Sequence, residues 1–257
     1  MLTTKHIVSF SGGMGSFAEA KSCVDKFGKK NVTLLFADTL MEDEDLHRFK
    51  DETVDFLGCQ LVVLCDGRTP FEIFKDVKFM GNSRIDPCSK LLKRDPLNDW
   101  FTKNYNPDEA EMHLGIDYSE AHRLANVKDR MAPHIYRSTL IEDGRIISKD
   151  YSEQFGIKRP RLYDWNLGHN NCGGFCVKAG LGHYKALYEA NVDRYLDFEK
   201  READVYLHLG DEYPFLRKQK DGETFFLTLK SYRELYLETG KVTESENFEF
   251  GGCGCAI

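Results

Sequence analysis

His6-Ile7-Val8-Ser9-Phe10, running into Ser11-Gly12-Gly13-Met14-Gly15-Ser16, is the stretch on which the fold turns. Five β-favouring residues end in a cluster of small ones. The residues that follow place Phe17, Ala20, Val24 and Phe27 at the three-to-four spacing of one helix face, and Gly28 supplies a stop. Val32 to Ala37 (VTLLFA) is almost wholly apolar, as a strand buried on both faces should be. The acidic run Glu42-Asp43-Glu44-Asp45 suits a helix N-terminus, where the macrodipole favours negative charge. Gln60 to Cys65 (QLVVLC) is a third strand of the buried kind. Strand, helix, strand, helix, strand at this density predicts an α/β fold built on a doubly wound, mainly parallel sheet.

Further along, Asp86-Pro87 starts a helix expected to reach about Phe101, with Asp as N-cap and Pro in the first turn. Glu111 to Gly115 reads as a fourth strand, Ser119-Glu120 opens a short helix, and His134 to Leu140 reads as a fifth strand. Beyond about residue 150 the pattern turns helical, with amphipathic runs over 178–189 and 192–206 around a loop at Gly173-Gly174. The expected division is therefore 1–150, a nucleotide-binding α/β domain, and 151–257, a helical region bearing cysteines. The 257 residues suffice to bury a core without disulfides. With 35 basic against 42 acidic residues, the net charge of −7 argues against a domain devoted to non-specific duplex binding. The start MLTTKHIVSF has no long apolar region after a basic beginning, and no stretch approaches a membrane span. A cytoplasmic protein with reduced thiols is expected.

The glycine loop is the best single pointer to function in the N-terminal half. Small residues between a strand and a helix let a phosphate approach the backbone, and the helix start offers unpaired N–H groups. Gly13-x-Gly15-x-x-Ala18, with Asp38 about twenty residues on, satisfies a dinucleotide fingerprint. The same loop also fits a tight turn with no ligand. A Walker A loop needs a lysine after its last glycine, and none is present.

The segment also resembles the SGGxDS pyrophosphate loop of the adenine nucleotide α-hydrolase-like superfamily, through Ser11, Gly12, Gly13 and Ser16, with Gly15 where that motif has aspartate. Phe36-Ala37-Asp38-Thr39 is similar to the strand-end DT of its phosphoadenylyl-sulfate (PAPS) reductase branch. Pro87-Cys88-Ser89-x-x-Leu92-Lys93 is similar to that branch's C-[ST]-x-x-[LI]-K segment. Gly115-Ile116-Asp117-x-x-Glu120-x-x-Arg123 resembles its G-x-R-x-x-E-S-x-x-R stretch, with Asp117 in place of the first arginine. Leu162-Tyr163, Gly168 and Cys172-x-x-x-Cys176 resemble its L-Y…G…G-C-x-x-C segment with one residue added. These ordered partial matches span residues 7 to about 180. The reductase tail, Glu-Cys-Gly followed by histidine, is replaced by Gly-Cys-Gly-Cys-Ala-Ile.

The eight cysteines fall into two groups. Cys23, Cys59 and Cys65 read as small buried hydrophobes. Cys172, Cys176, Cys253 and Cys255, with Cys88, form a candidate metal set: thiolates hold either a [4Fe–4S] cluster or zinc, and redox-active thiols are the third reading. The resemblance implies a cluster, because in its iron–sulfur members a cysteine pair lies where Pro87-Cys88 lies, with only one of the pair present here, and a C-x-x-C lies where Cys172 and Cys176 lie, so that the fourth ligand would come from the tail. His169 or His183 could replace one thiol. Cys88, near a helix start and beside Lys90, Lys93 and Arg94, also suits a nucleophile. The basic runs Lys158-Arg159-Pro160-Arg161 and Arg217-Lys218-Gln219-Lys220 are either phosphate contacts to nucleic acid or solvated faces.

Together these readings predict a PAPS reductase-like enzyme acting at the α-phosphate of an adenine nucleotide, by ATP-dependent adenylylation coupled to sulfur transfer. Ser11, Gly12, Gly13, Gly15 and Ser16 would hold phosphates with Mg2+, Asp38 would lie near ribose or adenine, and Lys93 and Arg123 would stabilise developing charge. A sulfur donor or an electron-donor protein is the implied partner. Reduction of an adenylyl sulfate with Cys253 or Cys255 as nucleophile, a non-catalytic nucleotide-binding module, and an NAD-linked enzyme are the alternatives.

Overall fold

A computed structural model describes residues 4–220 and 222–243. In chain order the elements are β1 (Lys5–Ser9), α1 (Met14–Phe27), β2 (Val32–Asp38), α2 (Glu44–Leu57), β3 (Gln60–Cys65), α3 (Pro70–Asp76), α4 (Pro87–Ser89), α5 (Asp95–Asn104), β4 (Ala110–Leu114), α6 (His122–Met131), β5 (Ile135–Arg137), α7 (Thr139–Glu142), α8 (Arg161–Asp164), α9 (Leu181–Ala190), α10 (Val192–Leu209), β6 (Leu216–Lys220), β7 (Glu223–Leu227) and α11 (Leu229–Tyr232). Among the described residues, those through Gly67 and from Leu92 to Arg161 form one compact unit. Those from Arg68 to Leu91 and from Leu162 onward form another. The division thus falls at 161/162 rather than at 150, and the segment 68–91 joins the second unit.

The first unit is a five-stranded sheet in the order β3-β2-β1-β4-β5, with every neighbouring pair parallel. Strand alternation gives it two buried faces. Ile7, Leu35, Met112 and Leu114 pack with Leu97 and Phe101 of α5 and Leu124 and Val127 of α6. On the opposite face, α1 and α2 meet through Phe17 and Phe49, whose ring centroids are 5.5 Å apart. The acidic run does start a helix: Asp43 is the N-cap of α2 and accepts from the Asp45 N–H.

Three expectations change. β3 is an edge strand with its residues exposed or half-buried, so its apolar run (Val63 is 49% exposed) is not a doubly buried strand. The fifth strand shortens to Ile135–Arg137 because Ser138 caps α7, accepting from the Ile141 N–H. The helix expected from Asp86 to Phe101 is interrupted by a π-helical turn over Lys90–Arg94. Pro96 follows that turn, and an unbroken α-helix would drive its ring into the carbonyl of Leu92.

The second unit is mostly helical, as the periodicity predicts, but it also contains the antiparallel hairpin β6–β7, which the sequence reading missed. Its core is aromatic. Phe71 and Phe175 lie 4.5 Å apart between centroids, and Phe74, Phe198, Phe215 and Tyr184 surround Phe175. Among the described residues no helix is long and apolar enough to cross a membrane.

Candidate functional site

A parallel sheet in this order reverses direction between β1 and β4, and a ligand-binding crevice forms where the loops leave the carboxyl ends of the strands. In the first unit those loops are 11–16 after β1, 39–43 after β2 and 115–117 after β4. α1 begins there with Gly13 as N-cap, no side chain capping it and no acid in its first turn. α2 by contrast carries Asp43 as cap, with Glu44 and Asp45 in its first turn. α1 therefore presents the positive end of its dipole with no carboxylate of its own against it.

Ser16 holds the loop's shape. Its hydroxyl donates to the Gly13 carbonyl at 2.8 Å and accepts from the Ser11 N–H at 3.2 Å, with the Ser11 hydroxyl 3.3 Å away. Gly12 has φ +74°, and a Cβ there would lie 2.7 Å from Cγ of Leu46. Gly15 is constrained differently: a Cβ would lie 2.5 Å from the carbonyl oxygen of Gly115. A Cβ on Gly115 would in turn lie 2.5 Å from N of Ser16. The loops after β1 and β4 therefore meet backbone to backbone. A side chain at position 15 would press on that contact.

At the end of β2, Asp38 is partly buried and accepts from the Leu40 N–H at 2.8 Å. Lys93 and Glu42 form an ion pair at 3.0 Å whose side chains are 5% and 0% exposed, and Thr39 donates its hydroxyl to the same Glu42 oxygen. Lys93 is thus drawn into the unit beside the β2 loop. Arg123 pairs with Glu120 at 2.6 Å in the first turn of α6. Asp117 accepts from the Ser119 and Ile147 N–H groups, which binds the loop after β4 to residue 147. A cavity of about 20 Å³, room for about one water, lies between Ser9, Arg94, Asn98, Arg130 and Tyr136.

In the second unit, Cys88 is the second residue of α4, partly exposed, and Asp86 precedes the helix without capping it. The Asp86 carboxylate lies 3.8 Å from the Lys178 ammonium instead. Cys172 is buried with φ +51°, followed by Gly173 and Gly174, also at positive φ. His183 Nε2 is 2.6 Å from the Gly174 carbonyl, and His169 stacks on His183 at 4.8 Å. Burial lowers the His183 imidazole to about 4, so it is neutral at pH 7 and donates that bond. Arg194 donates to the Gly173 carbonyl, and Cys176 bonds through its backbone to the Tyr184 hydroxyl.

Among the described residues no three ligand atoms mutually within 4.8 Å include Cys88, Cys172 or Cys176, so these residues alone do not assemble a single-ion zinc site. The cysteines of a cluster bind different irons and stand farther apart than the ligands of one ion. Cys253 and Cys255 lie outside the described residues. Cys23 and Cys59 are buried with their thiols pushed up by burial, as the sequence suggests, whereas Cys65 is exposed. Of the basic runs, Arg161 pairs with Asp43 at 2.8 Å, Arg159 lies 3.7 Å from Glu153, and Lys218 sits over the Tyr236 ring.

Sequence reasoning passed over a buried polar layer around Glu19, which is fully buried in α1. Its carboxylate accepts from the N–H groups of Thr139 and Leu140 and from the hydroxyls of Ser138 and Thr139, and it lies 3.0 Å from His113 Nδ1. The available signal was the alternation in β4, which puts Glu111 and His113 on one face. No protein-family model and no curated protein matches the chain.

Proposed function

We propose that the chain is a PAPS reductase-like enzyme that binds an adenine nucleotide at the β1–α1 loop and uses ATP to adenylylate a substrate as a prelude to sulfur transfer. The observation that carries the nucleotide part is the uncapped, acid-free start of α1 at the carboxyl edge of an all-parallel sheet, beside the point where strand order reverses. The N–H groups of that first turn would receive the phosphates. Asp38, with one carboxylate oxygen held by the Leu40 N–H, would accept from a ribose hydroxyl or from a water on Mg2+. Attack of an acceptor oxygen on the α-phosphorus would break the bond to the bridging oxygen and release pyrophosphate, whose charge the helix start stabilises. Lys93 is neutralised by Glu42, so in this reading it is a positioning residue that fixes the β2 loop.

The family resemblance is what extends this to sulfur. The described residues offer three thiols, Cys88, Cys172 and Cys176, toward a [4Fe–4S] cluster, one fewer than the four it takes. When bound, a cluster would supply electrons or hold sulfur. The polar strap around 172–176, made by His183, Arg194 and Tyr184, fixes the loop that carries two of these thiols.

Asp38 at the end of β2, in a sheet of order 3-2-1-4-5, also suits the ribose of a dinucleotide, which keeps NAD as the second reading. Calorimetric titration of the full chain with Mg-ATP, adenylyl sulfate and NAD separates the cases, together with an assay for pyrophosphate and sulfite. ATP binding with pyrophosphate release is expected, and Ser16→Ala should weaken it about tenfold by loosening the loop. Sulfite release would establish the reductase, ATP binding without turnover a nucleotide-binding module, and NAD binding alone would overturn the proposal.

A further inference from the structure

At the amino-terminal end of the strands, opposite the glycine loop, the first unit buries a cluster that nucleotide binding does not use. His6 of β1 is paired in register with Glu111 of β4, and Val8 with His113. Alternation puts His6, Glu111 and His113 on one sheet face, where Phe27 of α1 stacks flat on His6 at 3.6 Å. His6 is 7% exposed and His113 0%, and the Glu111 side chain is 13% exposed.

We propose that His6 Nδ1, His113 Nε2 and Glu111 Oε2 bind one divalent transition-metal ion, Zn2+ foremost, which ties β1 to β4. The three atoms stand 3.0, 3.6 and 3.8 Å apart. A point equidistant from atoms so spaced lies about 2.0 Å from each, which is the length of a Zn–N or Zn–carboxylate bond. A simple hydrogen bond between the imidazoles accounts for the shortest side of this triangle. Arg137 donates to both Glu111 oxygens, at 3.1 Å to Oε1 and 3.0 Å to Oε2, and so holds the third corner in place.

The surroundings suit a metal ligand. Glu19 accepts from the N–H groups of Thr139 and Leu140 and from the Thr139 hydroxyl, and a His113 tautomer that donates Nδ1–H fits its 3.0 Å contact with the same carboxylate. That leaves the lone pair on Nε2 aimed at His6 and Glu111, the carboxylate–histidine–metal arrangement. Arg137 shares the Glu111 carboxylate at 3.0 Å and also pairs with Glu142. Two imidazoles and one carboxylate favour zinc over magnesium or calcium, which take oxygen ligands. Water or the second Glu111 oxygen would supply a fourth ligand.

The test is zinc binding to the full chain after metal depletion, with Cys88, Cys172, Cys176, Cys253 and Cys255 all changed to Ser so that thiol sites are silent. One zinc per chain is expected, lost in His6→Phe and in Glu111→Gln, and weakened about 10- to 100-fold in Glu19→Gln. Circular dichroism checks that each variant is folded. Should the five-serine chain not fold, Co2+ absorption of the otherwise wild-type chain serves: His6→Phe should abolish ligand-field bands of nitrogen and oxygen ligation and leave any thiolate charge-transfer band. A folded, depleted chain that takes up no zinc at micromolar concentration, or uptake unchanged by His6→Phe and Glu111→Gln, overturns the proposal.

Discussion

Replacing Gly15 by Ala, or by the Asp of the SGGxDS pattern, tests how the candidate site is built. The added Cβ would lie 2.5 Å from the Gly115 carbonyl oxygen, and reaching an ordinary contact of 3.4 Å means opening the gap by about 0.9 Å. The obstacle is backbone at the end of a central strand, so no side chain can swing aside. Overpacking of this kind costs roughly 1–3 kcal/mol. Against it stands about 0.4–1 kcal/mol gained by restricting the unfolded chain when glycine is replaced. The net expectation for Gly15→Ala is a loss of about 1–2 kcal/mol, which lowers the melting temperature by about 2–8 °C. Trp100 in α5 reports on the first unit, so thermal and urea unfolding followed by its emission, in a chain with Trp165 changed to Phe, gives the number. Gly15→Asp should be no more stable than Gly15→Ala and should not tighten ATP binding. A Gly15→Ala chain as stable as the parent, or more so, refutes the close approach.

Lys93→Met leaves Glu42 buried beside Thr39 without its ammonium partner, and should cost about 3–5 kcal/mol in urea unfolding, with most of the loss recovered in Lys93→Met/Glu42→Gln. Glu202 is buried and its carboxyl is raised by that burial from 4.5 to about 8, while it accepts from the Tyr206 hydroxyl and the Leu229 N–H. Folded chain then holds a proton that unfolded chain has released, so its contribution is full below pH 4.5 and is lost as pH rises toward 8. Glu202→Gln should stabilise the second unit by roughly 3 kcal/mol at pH 7 and flatten that decline; an unchanged slope counts against it. His183, lowered to about 4, acts in the other direction: its contribution is full above 6.5 and is lost as pH falls from 6.5 to 4, a limb that His183→Asn should remove from pH-dependent melting curves.

Where the residue pattern itself imposes the answer, the sequence is sufficient. VTLLFA is nearly all apolar and does form a buried inner strand, and Asp43 with the acids after it does open a helix. QLVVLC has the same composition but lies at the sheet edge, because burial depends on where a strand falls in the order rather than on its own residues. The hairpin β6–β7 escapes for a related reason: RKQK and ETFF lack the alternation of polar and apolar residues by which a half-buried strand is read. Lys93 and Arg123 illustrate the limit for the site. Motif position offers both as free cations, yet each is met by an acid, Glu42 from 51 residues away and Glu120 from the same turn.

The same logic explains why the glycine loop was legible and the histidine layer was not. The glycine loop is made by contiguous residues, so its parts appear side by side in the chain, and Gly12, Gly13 and Ser16 serve one short turn. The layer at the other end of the strands is made by pairing: His6 meets Glu111 because β1 lies beside β4, a neighbour relation created only when the chain crosses back past β2 and β3. Its ionisable groups are affordable in the interior because each is met by another, with Glu19 satisfied by the first turn of α7 and Glu111 by Arg137. The two ends of the β1–β4 pair thus carry different chemistry on one scaffold. The carboxyl end carries a helix start with no side-chain cap and no acid in its first turn, and the amino end gathers two imidazoles and a carboxylate within 3.8 Å of one another.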